Sequence, residues 1–157
     1  MKQHWKKLLL SGVVVVMAAV LLWPIPFPSL ETGEDVSVTH SYFWIDNTDP
    51  SGSLKQAHKS YHCSADSGAL AQLEDILSRY SYHRCLHTLF PFLAEGDVGS
   101  HQLLFHLAGE PLVVTNRRHL YVGERVYCLG YLGDGAADTL MQELLETLET
   151  ASESVSP

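Results

Sequence analysis

Hydrophobic and polar positions divide the chain into three patterns. The first is a run of sixteen residues without charge, Leu8 to Trp23, reading LLLSGVVVVMAAVLLW. As a helix it spans about 24 Å, short of the roughly 30 Å hydrocarbon core of a bilayer. Ile25 and Phe27 lengthen the apolar stretch, and Trp5 and Trp23 stand where interfacial anchors stand. The expectation is one N-terminal transmembrane helix, about Lys7 to Trp23, ended by Pro24 because proline cannot continue the hydrogen-bond ladder.

The second pattern is alternation. Val36, Val38, Tyr42 and Trp44 share one face at period two, which predicts a strand over Val36–Asp46. Asn47 to Ser53 is turn chemistry, and Leu54 to Cys63 reads as a returning strand or, over Lys55–His62, a helical turn. Tyr82 to Phe90 alternates again, closed by Pro91, with a loop over Glu95–Ser100. His101–Ala108, Leu112–Asn116, His119–Val122 and Arg125–Tyr131 read as a meander. Gly123-Glu124 is a two-residue hairpin loop with glycine first. It pairs Val122 with Arg125, Tyr121 with Val126, Leu120 with Tyr127 and His119 with Cys128.

The third pattern is the helical stripe. Leu70, Leu73, Ile76, Leu77 and Tyr80 mark a helix over Gly68–Tyr80 behind the cap oxygens of Ser64, Asp66 and Ser67. Ala137, Leu140, Met141, Leu144, Leu145 and Leu148 mark a second one, capped by Asp134, with Ala151–Pro157 a disordered tail. Strands followed by a closing helix predict an α+β fold: a mainly antiparallel sheet covered on one face by two amphipathic helices, preceded by the transmembrane helix. Leu140, Leu144 and Leu148 are expected to share one layer with Leu73, Ile76 and Leu77.

These patterns set four segments: a membrane anchor (1–23), a stiff proline-rich stalk (24–35), a globular domain (36–150) and the tail (151–157). Charge adds a direction. Lys2, Lys6 and Lys7 precede the apolar run, so the N-terminus is expected in the cytoplasm and the domain outside. A cleavable signal peptide is the competing reading, with small residues only at Ala18 and Ala19, inside the apolar run. No cysteine follows the run closely, which argues against a lipoprotein. From Pro24 onward seven Lys or Arg face eighteen Asp or Glu, a balance that repels nucleic acid. Eight histidines lie in the same stretch, so charging them near pH 6 would take that segment from −11 towards −3.

Candidate chemistry rests on histidine and cysteine. His83, Cys85 and His87 would share one face of a strand, with neighbours two apart about 6.6 Å from each other. A helix would instead bring His83 and His87 together at i,i+4 and turn Cys85 away. His58 and His62, beside Cys63, repeat that spacing, and the hairpin register adds His119 with Cys128. Subsets of these eight residues are candidate ligands for a transition metal such as zinc. Two i,i+4 pairs exceed chance only slightly, and partly buried or surface histidine is the commoner role. Three cysteines admit one disulfide; joining Cys63 to Cys85 would contribute roughly 3 kcal/mol. No G-x-S-x-G, phosphate loop or metalloprotease motif occurs. Arg117-Arg118 sits on a hairpin loop, where paired arginines are usually solvated.

The expectation is a membrane-tethered extracytoplasmic binding module without evident catalysis, its partners the membrane and an envelope or extracellular protein. A His/Cys metal-binding domain is the alternative, and an enzyme of another type the third.

Overall fold

A computed structural model describes residues 2–30, 33–45, 48, 53–90, 100–107, 109–131 and 135–153, with side chains described between 9 and 151. The elements are α1 (Lys2–Leu21), β1 (Ile25–Pro26), β2 (Val36–Ile45), β3 (Leu54–Cys63), α2 (Gly68–Ser78), β4 (Ser81–His83), α3 (Leu86–Leu89), β5 (His101–His106), β6 (Leu112–Thr115), β7 (His119–Val122), β8 (Arg125–Leu129) and α4 (Ala136–Glu153). The fold is α+β, with one eight-stranded antiparallel sheet in the order β1-β4-β8-β7-β6-β5-β2-β3.

The stripes read from the sequence build the core. Leu70, Leu73, Ile76 and Leu77 of α2 are buried, as are Leu140, Met141, Leu144 and Leu148 of α4. They form one cluster with Val36, Val38, Leu103, Phe105, Leu112, Val114, Leu120, Tyr127 and Leu129. These strand residues occur at every second position, so they mark one face of the sheet. The expected shared layer of the two helices is therefore present.

The β7–β8 hairpin has the expected register, His119↔Cys128 through Val122↔Arg125. Gly123 takes φ +57°, which costs a residue without Cβ little. An added Cβ would also lie 3.0 Å from Glu110 Cδ.

One open alternative closes, and two expectations need correction. Leu54–Cys63 is a full ten-residue strand, paired from Val36↔Cys63 to Ile45↔Leu54. The strand alternative holds and the helical turn does not form, since all ten residues pair with β2 along one side of the strand. The strand expected over Tyr82–Phe90 ends at His83, and α3 begins at Leu86, after two intervening residues. The reason is a local cap: Thr88 Oγ1 accepts from the Cys85 backbone N–H at 3.0 Å, and Thr88 N–H donates to the Cys85 carbonyl at 3.0 Å. Cys85 thus occupies the N-cap of a capping box with Thr88 at its third position. The proline-rich segment, expected as a stiff stalk ahead of a domain beginning at Val36, is partly docked. Ile25 and Pro26 pair with Tyr82 and Ser81, Phe27 meets the Tyr82 ring edge-on at 5.3 Å, and Leu30 is fully buried.

α1 is a continuous helix that ends at Leu21, two residues before the expected limit. Among the described residues no helix is long and apolar enough to cross a membrane. At the other end α4 continues to Glu153, three residues into the expected tail. Asp134, the loop over Glu95–Gly99 and residues 154–157 lie outside the described residues.

Candidate metal centre

Tyr127 and Leu129 turn into the core, so Cys128 between them turns to the opposite face of β8. Its two lateral neighbours in the sheet are histidines: His119 on β7 and His83 on β4. α3 lies against β8 on this side and is tied to it by a short hydrogen bond from Thr88 Oγ1 to the Val126 carbonyl. The tie brings the β4–α3 turn over Cys128.

The cap that starts α3 also sets its ligand atoms. Cys85 Sγ lies 3.9 Å from His87 Nδ1 and 3.8 Å from Thr88 Oγ1. One ligand atom each from Cys85, His87 and Cys128 lie within 4.8 Å of one another, and all three side chains are half-buried. The His119 ring meets His87 edge-on with centroids 4.8 Å apart, placing a further imidazole beside the group. A tetrahedral ion with bonds of 2.0–2.3 Å holds its ligand atoms roughly 3.3–3.8 Å apart, so small side-chain rotations close this cluster on one ion.

Electrostatics at Cys128 pull two ways. Burial, the hydrogen bond with Cys85 and the Cys85 charge push its thiol up to about 12, while Arg118 acts against them. Arg118 sits in the β6–β7 turn with φ +71°, its guanidinium donating to the Gly130 carbonyl at 3.3 Å. A cation arriving at the site would do what Arg118 does more strongly, since metal ions displace thiol protons outright.

The remaining candidates are elsewhere. His83 is buried and stacks on Tyr131, centroids 5.0 Å apart, so it neighbours the cluster without joining it. His58 and His62 are four positions apart on a strand, about 13 Å along it, too far to share an ion. His62 pairs instead with Asp35 at 3.2 Å. The Asp35 carboxyl is held below its usual range, first by the Ala65 N–H and, less, by His62. Cys63 belongs to the helix-covered core, and burial pushes its thiol up. It therefore lies across the sheet from Cys85, and the disulfide weighed for that pair is absent: all three cysteines are free thiols.

Two features escaped the sequence. The Cys85-x-x-Thr88 spacing is a cap signal, obscured because cysteine replaces the usual serine or threonine. The second is a ring stack at the far end of the sheet. His40 Nε2 and His101 Nδ1 are 3.0 Å apart, and Tyr42 stacks between His101 and Trp44. Burial, then the His101 charge, lowers the His40 pKa. Only the β2–β5 register brings these side chains together. Comparison with protein-family models, curated proteins and solved structures finds no match for this chain.

Proposed function

We propose that this is a membrane-tethered domain, presented outside the cytoplasm, that binds a thiophilic transition-metal ion such as zinc through Cys85, His87 and Cys128, with His119 closing the coordination. The observation that carries the reading is the convergence of three soft or borderline ligand atoms within 4.8 Å, from two segments 41 residues apart in sequence. Two thiolates and imidazole suit zinc or a similar ion better than magnesium or calcium, which take oxygen ligands. A full set of protein ligands is the arrangement of a structural or sensing site rather than a catalytic one, which keeps an open position.

The full chain in detergent, loaded with cobalt(II) as a spectroscopic stand-in for zinc, tests this. One equivalent should bind with thiolate-to-metal charge-transfer absorption, and zinc should displace it. Absence of that band from folded protein at micromolar metal would reject the site.

Tethering is supported by the lysine-flanked apolar run of α1 and by the exposure of Leu9, Leu10, Val13–Met17 and Val20 along it. Retention of the chain in membranes through high-salt and carbonate washes is the expected result; recovery in the wash would remove the anchor. A second reading, capture of an envelope or extracellular protein, has one observation in its favour. β3 is an edge strand ten residues long with mostly exposed side chains, and such an edge can accept an added strand. Hydrogen exchange over residues 54–63 should then be slower in native membranes than in purified protein.

A further inference from the structure

We infer that Cys85 and Cys128 form a dithiol that exchanges with an exogenous disulfide, closing on each other to give an intramolecular bond. The inference uses the same two sulfurs as the metal reading but does not need the ion.

Three placements carry it. The two sulfurs lie within 4.8 Å of each other. Bond formation therefore needs a closing movement of under 3 Å, given a disulfide length near 2.05 Å. One of the two sits on an element that can supply this movement. Cys85 is at the N-cap of a four-residue helix with no buried side chain, held to β8 mainly by Thr88. Cys128, by contrast, is fixed in a paired strand between buried Tyr127 and Leu129. Finally, the third cysteine is out of reach. Cys63 is 3 % exposed and belongs to the core on the other face, so it is an internal control rather than a competitor.

Access sets the order of events. Arg84 and Leu86 flank Cys85 and are exposed, so an incoming disulfide reaches Cys85 first. The Cys85 thiolate attacks one sulfur of a low-molecular-weight disulfide, RSSR, and RS⁻ leaves, giving Cys85–S–S–R. The Cys128 sulfur then attacks the Cys85 sulfur, its proton passing to the departing RS group, which leaves as RSH. Two protein thiols lose two protons and two electrons in total, and RSSR becomes two RSH. His87 Nδ1, 3.9 Å from Cys85 Sγ, is placed to take the first proton. The product uses up two of the three converging ligand atoms, so disulfide and metal exclude each other at this site.

The test is oxidation of the chelator-treated full chain in detergent by oxidised glutathione, followed by mass spectrometry and peptide mapping. The wild-type chain should lose two hydrogens and yield one cross-linked pair, Cys85 with Cys128, with little mixed disulfide and Cys63 still a free thiol. Cys128→Ser should stop at the mixed disulfide and accumulate glutathione on Cys85. Cys63→Ser should behave as wild type. Equal glutathione adducts on wild type and Cys128→Ser, or first modification at Cys63, would overturn the inference. Zinc, added at one equivalent before the oxidant, separates the two readings. Slowing by tenfold or more supports the shared site. Disulfide formation at an unchanged rate rejects the metal reading alone. Zinc binding by protein that never closes the disulfide rejects the dithiol alone.

Discussion

Residues 126–129 of β8 alternate between two environments, and the rest of the sheet divides along the same line. Tyr127 and Leu129 join a continuous apolar layer under α2 and α4. Val126 and Cys128 turn to the other face, where the four-residue α3 crosses β8. On the first face, position is set by area: long stripes of leucine fit a wide sheet, and each buried leucine contributes roughly 1.5–3 kcal/mol. On the second, α3 buries no side chain, and a capping box and one hydrogen bond to Val126 hold it. The first face stores stability. The second has little local stability of its own, and groups held that way are the ones a ligand or a redox change can move.

The division is broken most severely by a change in the first face. Leu144 is 0 % exposed, and Leu144→Ala should cost about 2–5 kcal/mol in a urea melt. The folded fraction should keep its metal affinity. Loss of affinity in that fraction would mean that the two faces are coupled rather than separate.

Cys128→Ser addresses the second face alone. Metal affinity should fall by about 100-fold or more, near 2.7 kcal/mol, in a competition titration against a chelator. Stability of the metal-free protein should change by less than about 1 kcal/mol. A melt as damaged as that of Leu144→Ala would show that this residue is structural.

A smaller effect is expected at the tie between α3 and the sheet. Thr88→Val removes the cap oxygen and the bond to Val126, at a cost of about 1 kcal/mol. It should also weaken metal binding by roughly 10-fold, since ligand orientation depends on such supporting bonds. Unchanged affinity, read in the same titration, would leave the cap without a role in the site.

The smallest effect tests a histidine outside the cluster. Burial and His101 hold the His40 pKa below its usual 6.5. The unfolded chain therefore takes up that proton first as pH drops. Stability present above about pH 6.5 is lost as pH falls through the folded value. Tm measured from pH 7.5 to 5 should drop less steeply in His40→Gln than in the wild-type chain. Parallel curves would show that the pair does not titrate on folding.

The legible parts are those with a local cause. Leu70 to Leu77 and Leu140 to Leu148 declare their helices by spacing, because the 3.6-residue period must match a buried face whatever the topology. The β7–β8 register follows from one turn of two residues, since a tight loop leaves the facing pairs no other alignment. Where local signals competed, they misled. Tyr82 to Phe90 alternates like a strand, yet the Cys85–Thr88 cap starts a helix inside it.

What only the tertiary structure decided is which histidines and cysteines meet. From sequence, His83, Cys85 and His87 stood foremost among eight candidate ligands, with nothing to say which subset meets. The sheet order places β4 beside β8, although β5, β6 and β7 intervene in the chain. That order puts Cys85 and His87 over Cys128 and beside His119, while β3 carries His58, His62 and Cys63 to the far edge. The same non-local pairing joins His40 to His101, 61 residues away. Hydrophobic spacing says which side of an element is buried. It carries no information about which buried or half-buried sides face each other, because that choice rests on strand order and packing across the whole domain.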